Sequence, residues 1–391
     1  MANYKYLIIG AGMTADAAVR GIRKLDREGE IALVGNDLHP PYNRPPLSKG
    51  LWKGKPLASI WRQTQENSVQ LILGRTVQAI EPGKKVVRDD LGAEYKYEKL
   101  LLATGGSPRR LPFGPEDIIY YRTLDDYQRL RELCERVDHI AVIGGGFIGS
   151  EIAAALAMNG KKVTMLFPDA GIGARIFPPE LSDCLNGYFS QKGVNVLPRV
   201  TVKDIHKHDG VYHLLTDQGN DLQVEGVVAG IGIQPNVELA RTAGLSTANG
   251  IVVDETLHTS FPDIFAAGDV VEFSDYTSGK RLRIEHEDNA NTMGKQAGRN
   301  MAGANEPYHH LSYFYSDLFD LGYEAVGELD SRLETFVDWK DPFEKGVIYY
   351  LSEGRVRGVL LWNVWKTVEK ARQLIAEPGP FTSAALKGLL G

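Results

Sequence analysis

Two glycine-rich turns constrain this chain more than anything else in it: Gly10-Ala11-Gly12-Met13-Thr14-Ala15 and Gly144-Gly145-Gly146-Phe147-Ile148-Gly149. Each follows a short apolar run, Tyr6-Leu7-Ile8-Ile9 or Ile140-Ala141-Val142-Ile143, that reads as a buried parallel strand. Each opens into an alanine-rich stretch with helical character. In that strand–turn–helix setting, G-x-G-x-x-G/A is a dinucleotide fingerprint rather than a chance match. Gly10 and Gly144 make the tight turn, and Gly12 and Gly146 let the backbone approach a pyrophosphate. Ala15 and Gly149 allow close helix–strand packing, and the helix N-terminus supplies positive potential. One such turn is a weak signal; two in one chain imply two nucleotides held at once.

The length of 391 residues suits two or three domains. With 43% apolar and 24% charged residues the composition is globular, and no apolar run is long enough to span a bilayer. The chain enters its first strand almost at once, so no leader peptide is expected. Only Cys134 and Cys184 occur, in no C-x-x-C arrangement, which makes a reducing cytoplasm the expected location. A formal charge of −6 argues against general nucleic-acid affinity, although a local basic docking patch stays open.

Further motifs fall where a dinucleotide fold needs them. The strand Glu30-Ile31-Ala32-Leu33-Val34 leads into Gly35-Asn36-Asp37, where Asp37 is the candidate ribose ligand. Asn36 could take that role instead, and a plain polar turn is the alternative. Downstream, the strand within Thr259 to Val270 ends in Gly268-Asp269, placing a carboxylate at a sheet's C-terminal edge. Between them stands Ala103-Thr104-Gly105 after Leu100-Leu101-Leu102. After the second turn, a helix from Ser150 to Met158 leads to the strand Lys162-Val163-Thr164-Met165-Leu166-Phe167. Phe167 stands where a ribose-binding Glu is commonest, and Asp169 follows, 20 residues beyond Gly149. A carboxylate there favours NAD by repelling a 2′-phosphate, whereas Arg175 could accommodate one. NADH is the expected donor, with NADPH possible. Gly232, in Ala229-Gly230-Ile231-Gly232-Ile233-Gln234-Pro235-Asn236, closes this part of the chain. The expected fold class is α/β: two Rossmann-like dinucleotide-binding domains plus a C-terminal α+β domain. The expected division is 1–111 and 239–304 for the first nucleotide, 112–238 for the second, and 305–391 at the C-terminus. There, strands near Gly346 to Leu351 and Arg357 to Trp362 and a helix over Val368 to Ala376 are expected.

These residues together resemble the FAD-dependent pyridine-nucleotide reductases of the ferredoxin/rubredoxin reductase and apoptosis-inducing-factor type, over essentially the full length. Thr259 to Val270 is similar to their second FAD fingerprint, and Ala103-Thr104-Gly105 to the segment that returns the chain from the flavin domain. Pro41-Tyr42-Asn43-Arg44-Pro45-Pro46-Leu47-Ser48-Lys49 stands where thiol reductases carry a redox cysteine pair, so a disulfide relay is excluded. Nearer likeness to apoptosis-inducing factor and its bacterial relatives rests on four segments. They are Lys49-Gly50-Leu51-Trp52, Gly146 to Glu151, Leu166-Phe167-Pro168-Asp169 and Ile284-Glu285-His286-Glu287-Asp288. C-terminal pieces such as Phe314-Tyr315-Ser316-Asp317-Leu318 and Val359-Leu360-Leu361-Trp362-Asn363 agree with it. That likeness makes Asp169 the better ribose candidate. Three departures bear on function. No targeting segment or anchor is expected, Glu328 to Glu344 is short where the animal protein has an insertion, and the acidic balance lacks a DNA-binding surface. A cell-death role is therefore not carried over.

The resemblance implies FAD and NADH as cofactors, with Arg44 among the FAD contacts and Asp269 bonding a ribityl hydroxyl. It implies that Lys49 lies beside the flavin ring and pairs with Glu151. Phe147 would gate or stack near the nicotinamide, Glu285 and His286 would line its pocket, and Tyr315 would pack near the isoalloxazine or serve as core. No metal site is expected; Glu285-His286-Glu287 and His309-His310 lack a ligand geometry on one element. The implied activity is hydride transfer from NAD(P)H to flavin, then electron delivery to a ferredoxin- or rubredoxin-type protein or a quinone. The alternative is a redox-sensing protein whose NADH–flavin charge-transfer complex controls association with a partner. A homodimer is possible.

Overall fold

The computed structural model describes residues 2–391, which divide into two compact units. The first comprises the chain up to Asn43, Leu57–Ser107 and Gln234–Ser312; the second comprises Arg44–Pro56, Pro108–Ile233 and Tyr313–Gly391. No helix among the described residues is long and apolar enough to cross a membrane.

The first unit is built on a sheet whose parallel strands run Val69–Leu73, Ile31–Gly35, Ala2–Ile9, Glu94–Leu102 and Ile264–Ala266. An antiparallel pair, Val77–Glu81 and Val86–Asp89, continues from Glu94–Leu102. Strands covered on both faces read as unbroken apolar runs, and Ile31–Gly35 is buried at every position. Ile9 pairs with Leu102, and Leu102 with Ala266, so three strands end level. Helices Met13–Arg23 and Glu287–Met301 touch backbone to backbone. A Cβ on Gly298 would lie 2.0 Å from the Ala18 carbonyl oxygen, and one on Gly21 would lie 2.1 Å from that of Lys295. Glycine is the only residue that permits this approach.

In the second unit, the parallel strands Val194–Pro198, Lys162–Phe167, His139–Ile143, Gly226–Ala229 and Ile119–Tyr120 form one sheet. A three-stranded antiparallel sheet spans Val202–His208, Val211–Thr216 and Asp221–Val224. The C-terminal antiparallel sheet has the order Tyr313–Leu318, Leu321–Gly327, Arg355–Trp362, Lys345–Ser352, Glu334–Asp341. The helix Val368–Ala376 follows it.

Two segments group differently from the expected division. Residues 44–56, expected within 1–111, belong to the second unit. Trp52 is the reason: its indole meets Tyr127 edge-on at 5.6 Å and donates to the Leu47 carbonyl, while Arg131 covers its ring. Tyr313–Gly391 joins the same unit as 108–233. There, Phe177 packs edge-on against Tyr323 and Trp362, and Phe189 against Phe319.

Candidate active site

In the first unit the candidate FAD residues gather along one sheet edge. The Gly10 amide donates to the Val34 carbonyl, the Ala103 amide to Ile9, and the Ala267 amide to Leu102. Gly10, Ala103-Thr104-Gly105, Gly268-Asp269 and Gly35-Asn36-Asp37 are thus brought together where parallel strands end, the usual ligand position in such sheets. Gly10 has φ +118° and a Cβ there would lie 2.2 Å from the Ala103 carbonyl oxygen; at Gly12 a Cβ would meet nothing within 4 Å. Ala15 is fully buried beneath the turn. Gly268, at φ +82°, lies against Thr14, which sequence reasoning did not single out. The Thr104 hydroxyl donates to the Asn236 carbonyl. Asp37 already accepts bonds from the His39 amide and the Tyr42 hydroxyl, whereas Asn36 is exposed, so both stay candidates for the ribose.

Glu285 and His286 also lie in this unit. His286 is the N-cap of Glu287–Met301, and burial pushes its imidazole down to about 4. Glu285 is exposed and paired with Arg283 at 2.6 Å, while Arg283 also donates to the Asp269 carbonyl. Arg283 thereby ties the candidate nicotinamide acid to the Gly268-Asp269 turn. Sequence reasoning missed it, though it stands two residues before Glu285. His310 is paired with Asp288 at 2.6 Å and is a quarter exposed.

In the second unit the helix begins at Phe147, one turn before the expected Ser150, because Gly146 is its N-cap. Gly144 has φ +121°, and a Cβ on Gly149 would lie 2.0 Å from the Gly144 carbonyl oxygen. Gly146 faces open space and is exposed. Phe167 is buried with its ring against Gly145, where a Cβ would fall 2.7 Å from it. That packing explains an aromatic where a ribose-binding Glu is usual. Asp169 is instead available, 3.5 Å from Arg175, both at the surface. Phe147 is 40% exposed and meets Phe314 edge-on at 5.2 Å. Gly232 has φ +94° and receives the Arg109 amide.

The same unit holds the charged centre. Lys49 Nζ lies 2.7 Å from Glu151 Oε1, with side-chain exposures of 12% and 3%. Lys49 Nζ is also 5.1 Å from the centre of the Tyr315 ring. Two serines complete the arrangement: Ser48 Oγ donates to Glu151 Oε2 at 2.5 Å and Ser316 Oγ to Oε1 at 2.6 Å. Arg44 is the N-cap of the short helix Pro45–Ser48 that presents Ser48 and Lys49. A buried ion pair is weak evidence for stability, since desolvation offsets much of the attraction.

The residues present fit two dinucleotides. Both Gly-turn helices begin at a glycine with no side-chain cap, leaving first-turn amides for phosphate oxygens. Cys134 and Cys184 are free, and no group of three His, Cys, Asp or Glu among the described residues has a metal-holding arrangement.

Comparison with known proteins supports that fit. Residues 4–294 match the pyridine nucleotide-disulphide oxidoreductase family, and residues 297–340 and 337–377 match the C-terminal domain of apoptosis-inducing factor, mitochondrion-associated. Over 95% of its length the chain is 33% identical to apoptosis-inducing factor 1, mitochondrial, of Dictyostelium discoideum, covering 78% of that protein. It is 31% identical to the 3-phenylpropionate/cinnamic acid dioxygenase ferredoxin–NAD(+) reductase component of Photorhabdus laumondii subsp. laumondii, over 98% of this chain and 99% of that one. The crystal structure of the covalent putidaredoxin reductase–putidaredoxin complex matches with a TM-score of 0.91 at 30% identity, covering 99% of this chain and 96% of that chain. By these matches and by its two glycine turns, the chain belongs to the pyridine nucleotide-disulphide oxidoreductase family, as an NAD(P)H-dependent flavoprotein oxidoreductase that uses FAD.

Proposed function

We propose that this protein passes electrons from NADH, through FAD, to a small iron–sulfur protein of the ferredoxin or rubredoxin type. The observation that carries the reading is the buried Lys49–Glu151 pair, next to a segment that in thiol reductases carries two cysteines. Similarity over nearly full length to a ferredoxin–NAD(+) reductase component supports the choice of acceptor. A quinone is the competing acceptor.

FAD supplies the exchange between a two-electron donor and one-electron acceptors. The chain's own residues bind and orient. Gly10, Gly12 and Ala15 hold the FAD pyrophosphate turn, with Arg44 beside it, and Asp269 takes the ribityl chain. Lys49 and Tyr315 stand against the flavin, where a fixed positive charge favours added electron density. Gly144, Gly146 and Gly149 receive the NADH pyrophosphate and Asp169 its ribose; Gly232, Phe147, Glu285 and His286 border the nicotinamide. No protein acid or base is required, because alignment of donor and acceptor rings and exclusion of water do the work. The division into flavin segments 1–111 and 239–304, a nicotinamide segment 112–238 and a C-terminal segment 305–391 belongs to this reading. So does a cytoplasmic location, which two free cysteines favour. Whether the working form is a homodimer is read from sedimentation.

The test is anaerobic stopped-flow reduction by NADH and by NADPH, followed by mixing with ferredoxin, rubredoxin, quinone or oxygen. The expected result is faster reduction by NADH and rapid reoxidation by one iron–sulfur protein. Long-lived absorbance at long wavelength with slow reoxidation by every acceptor favours the redox-sensing alternative.

A further inference from the structure

We propose that Ser48 and Ser316 are positioning residues: their hydroxyls hold and partly neutralise the Glu151 carboxylate, so that the charge of Lys49 stays available to the flavin. The inference rests on the placement of Lys49 beside the flavin given above.

Three elements distant in sequence converge on one carboxylate. Ser48 ends the short helix Pro45–Ser48, Glu151 lies in Phe147–Met158, and Ser316 sits on the edge strand Tyr313–Leu318. Oxygen Oε1 accepts from Lys49 and Ser316, and Oε2 from Ser48. Ser316 is fully buried, Ser48 is 6% exposed and Glu151 4%, so no bulk water can substitute for either hydroxyl. Across the antiparallel strand pair Ser316 stands opposite Tyr323. The Tyr323 ring is itself fixed, stacked on Trp362 at 5.6 Å and edge-on to Phe177 at 5.3 Å. Three donors thus meet on the one carboxylate of Glu151.

The electrostatic consequence follows from the sign of the donors. Each hydroxyl places its positive end against the carboxylate and weakens the negative field that opposes Lys49. Without them Lys49 is the sole partner of Glu151, and the flavin feels a more negative surrounding.

The experiment is redox titration of the FAD-loaded Ser48→Ala, Ser316→Ala and doubly substituted proteins, with thermal unfolding measured alongside. In the double variant the flavin equilibrium is expected to shift about tenfold towards the oxidised form, roughly 30 mV for a two-electron couple. Ser48→Thr, which keeps a hydroxyl, should hold the parent potential. A lowered melting temperature with the parent potential would reduce the serines to a structural role and overturn the proposal. Should the double variant not fold, Ser316→Ala alone is expected to shift the equilibrium about threefold, and no shift there rejects the proposal equally. Lys49→Met separates the two levels. An unchanged potential in that variant rejects both the placement of Lys49 and this inference, whereas a changed one with silent serine variants rejects the inference alone.

Discussion

Lys49 and His286 are the residues whose physical state makes the sharpest predictions. Replacing Lys49 by Met removes a positive charge 2.7 Å from Glu151 and leaves that carboxylate without its counter-ion. The flavin potential should fall by about 30 mV for every 1.4 kcal/mol of lost differential interaction, and reduction by NADH should slow; a dye-equilibrated titration reads the first and stopped flow the second. His286 predicts a pH dependence. Its imidazole is pushed down to about 4 by burial, whereas a histidine in an unfolded chain titrates near 6.5. The unfolded chain therefore takes up a proton before the folded one does. Stability is full above about pH 6.5 and declines as pH falls towards 4, by up to about 1.4 kcal/mol per pH unit for this one group. Burial lowers His139 and His258 too, adding to the same slope. His286→Gln should flatten the loss between pH 6.5 and 4 in thermal unfolding; an unchanged slope would assign it to the other two.

At the scale of elements, the strands and the glycine turns were legible because their signals are local. Lys162–Phe167 and Val368–Ala376 occur at the expected residues, and both turns carry the expected backbone, with φ of +118° at Gly10 and +121° at Gly144. Other features were invisible locally. Gly21, Gly294 and Gly298 carry no turn signature, since their value lies in the crossing of two helices whose sequences are more than 260 positions apart. Gly298→Ala should cost on the order of 1–3 kcal/mol through forced separation of that crossing, measured by denaturant unfolding. Gly149→Ala should be worse for nicotinamide binding than for folding as a whole. Its Cβ would fall 2.0 Å from the Gly144 carbonyl oxygen and displace the glycine turn proposed to receive the NADH pyrophosphate. Titration with NADH should show weakened binding while the flavin spectrum of the first unit persists.

For the whole molecule, FAD is expected to contribute strongly to stability because it binds only the folded chain. With free FAD at a thousand times its Kd, the gain is about 4 kcal/mol; stripping the flavin should lower the melting temperature, and adding it back should restore it. A melting temperature indifferent to FAD would contradict the assignment of the first unit. Some of this protein was already settled by residue order. A strand, a glycine turn and a helix occupy about twenty consecutive residues, and their chemistry needs no distant partner to be recognised. The missing cysteine pair near Lys49 was likewise plain from the chain. The second layer came only from folding. Ser48, Glu151 and Ser316 stand 103 and 165 positions apart in successive pairs, yet they share one carboxylate. Serine has no periodic or compositional signal that marks it as a buried donor; its role exists only once three elements have excluded water around the acid it serves.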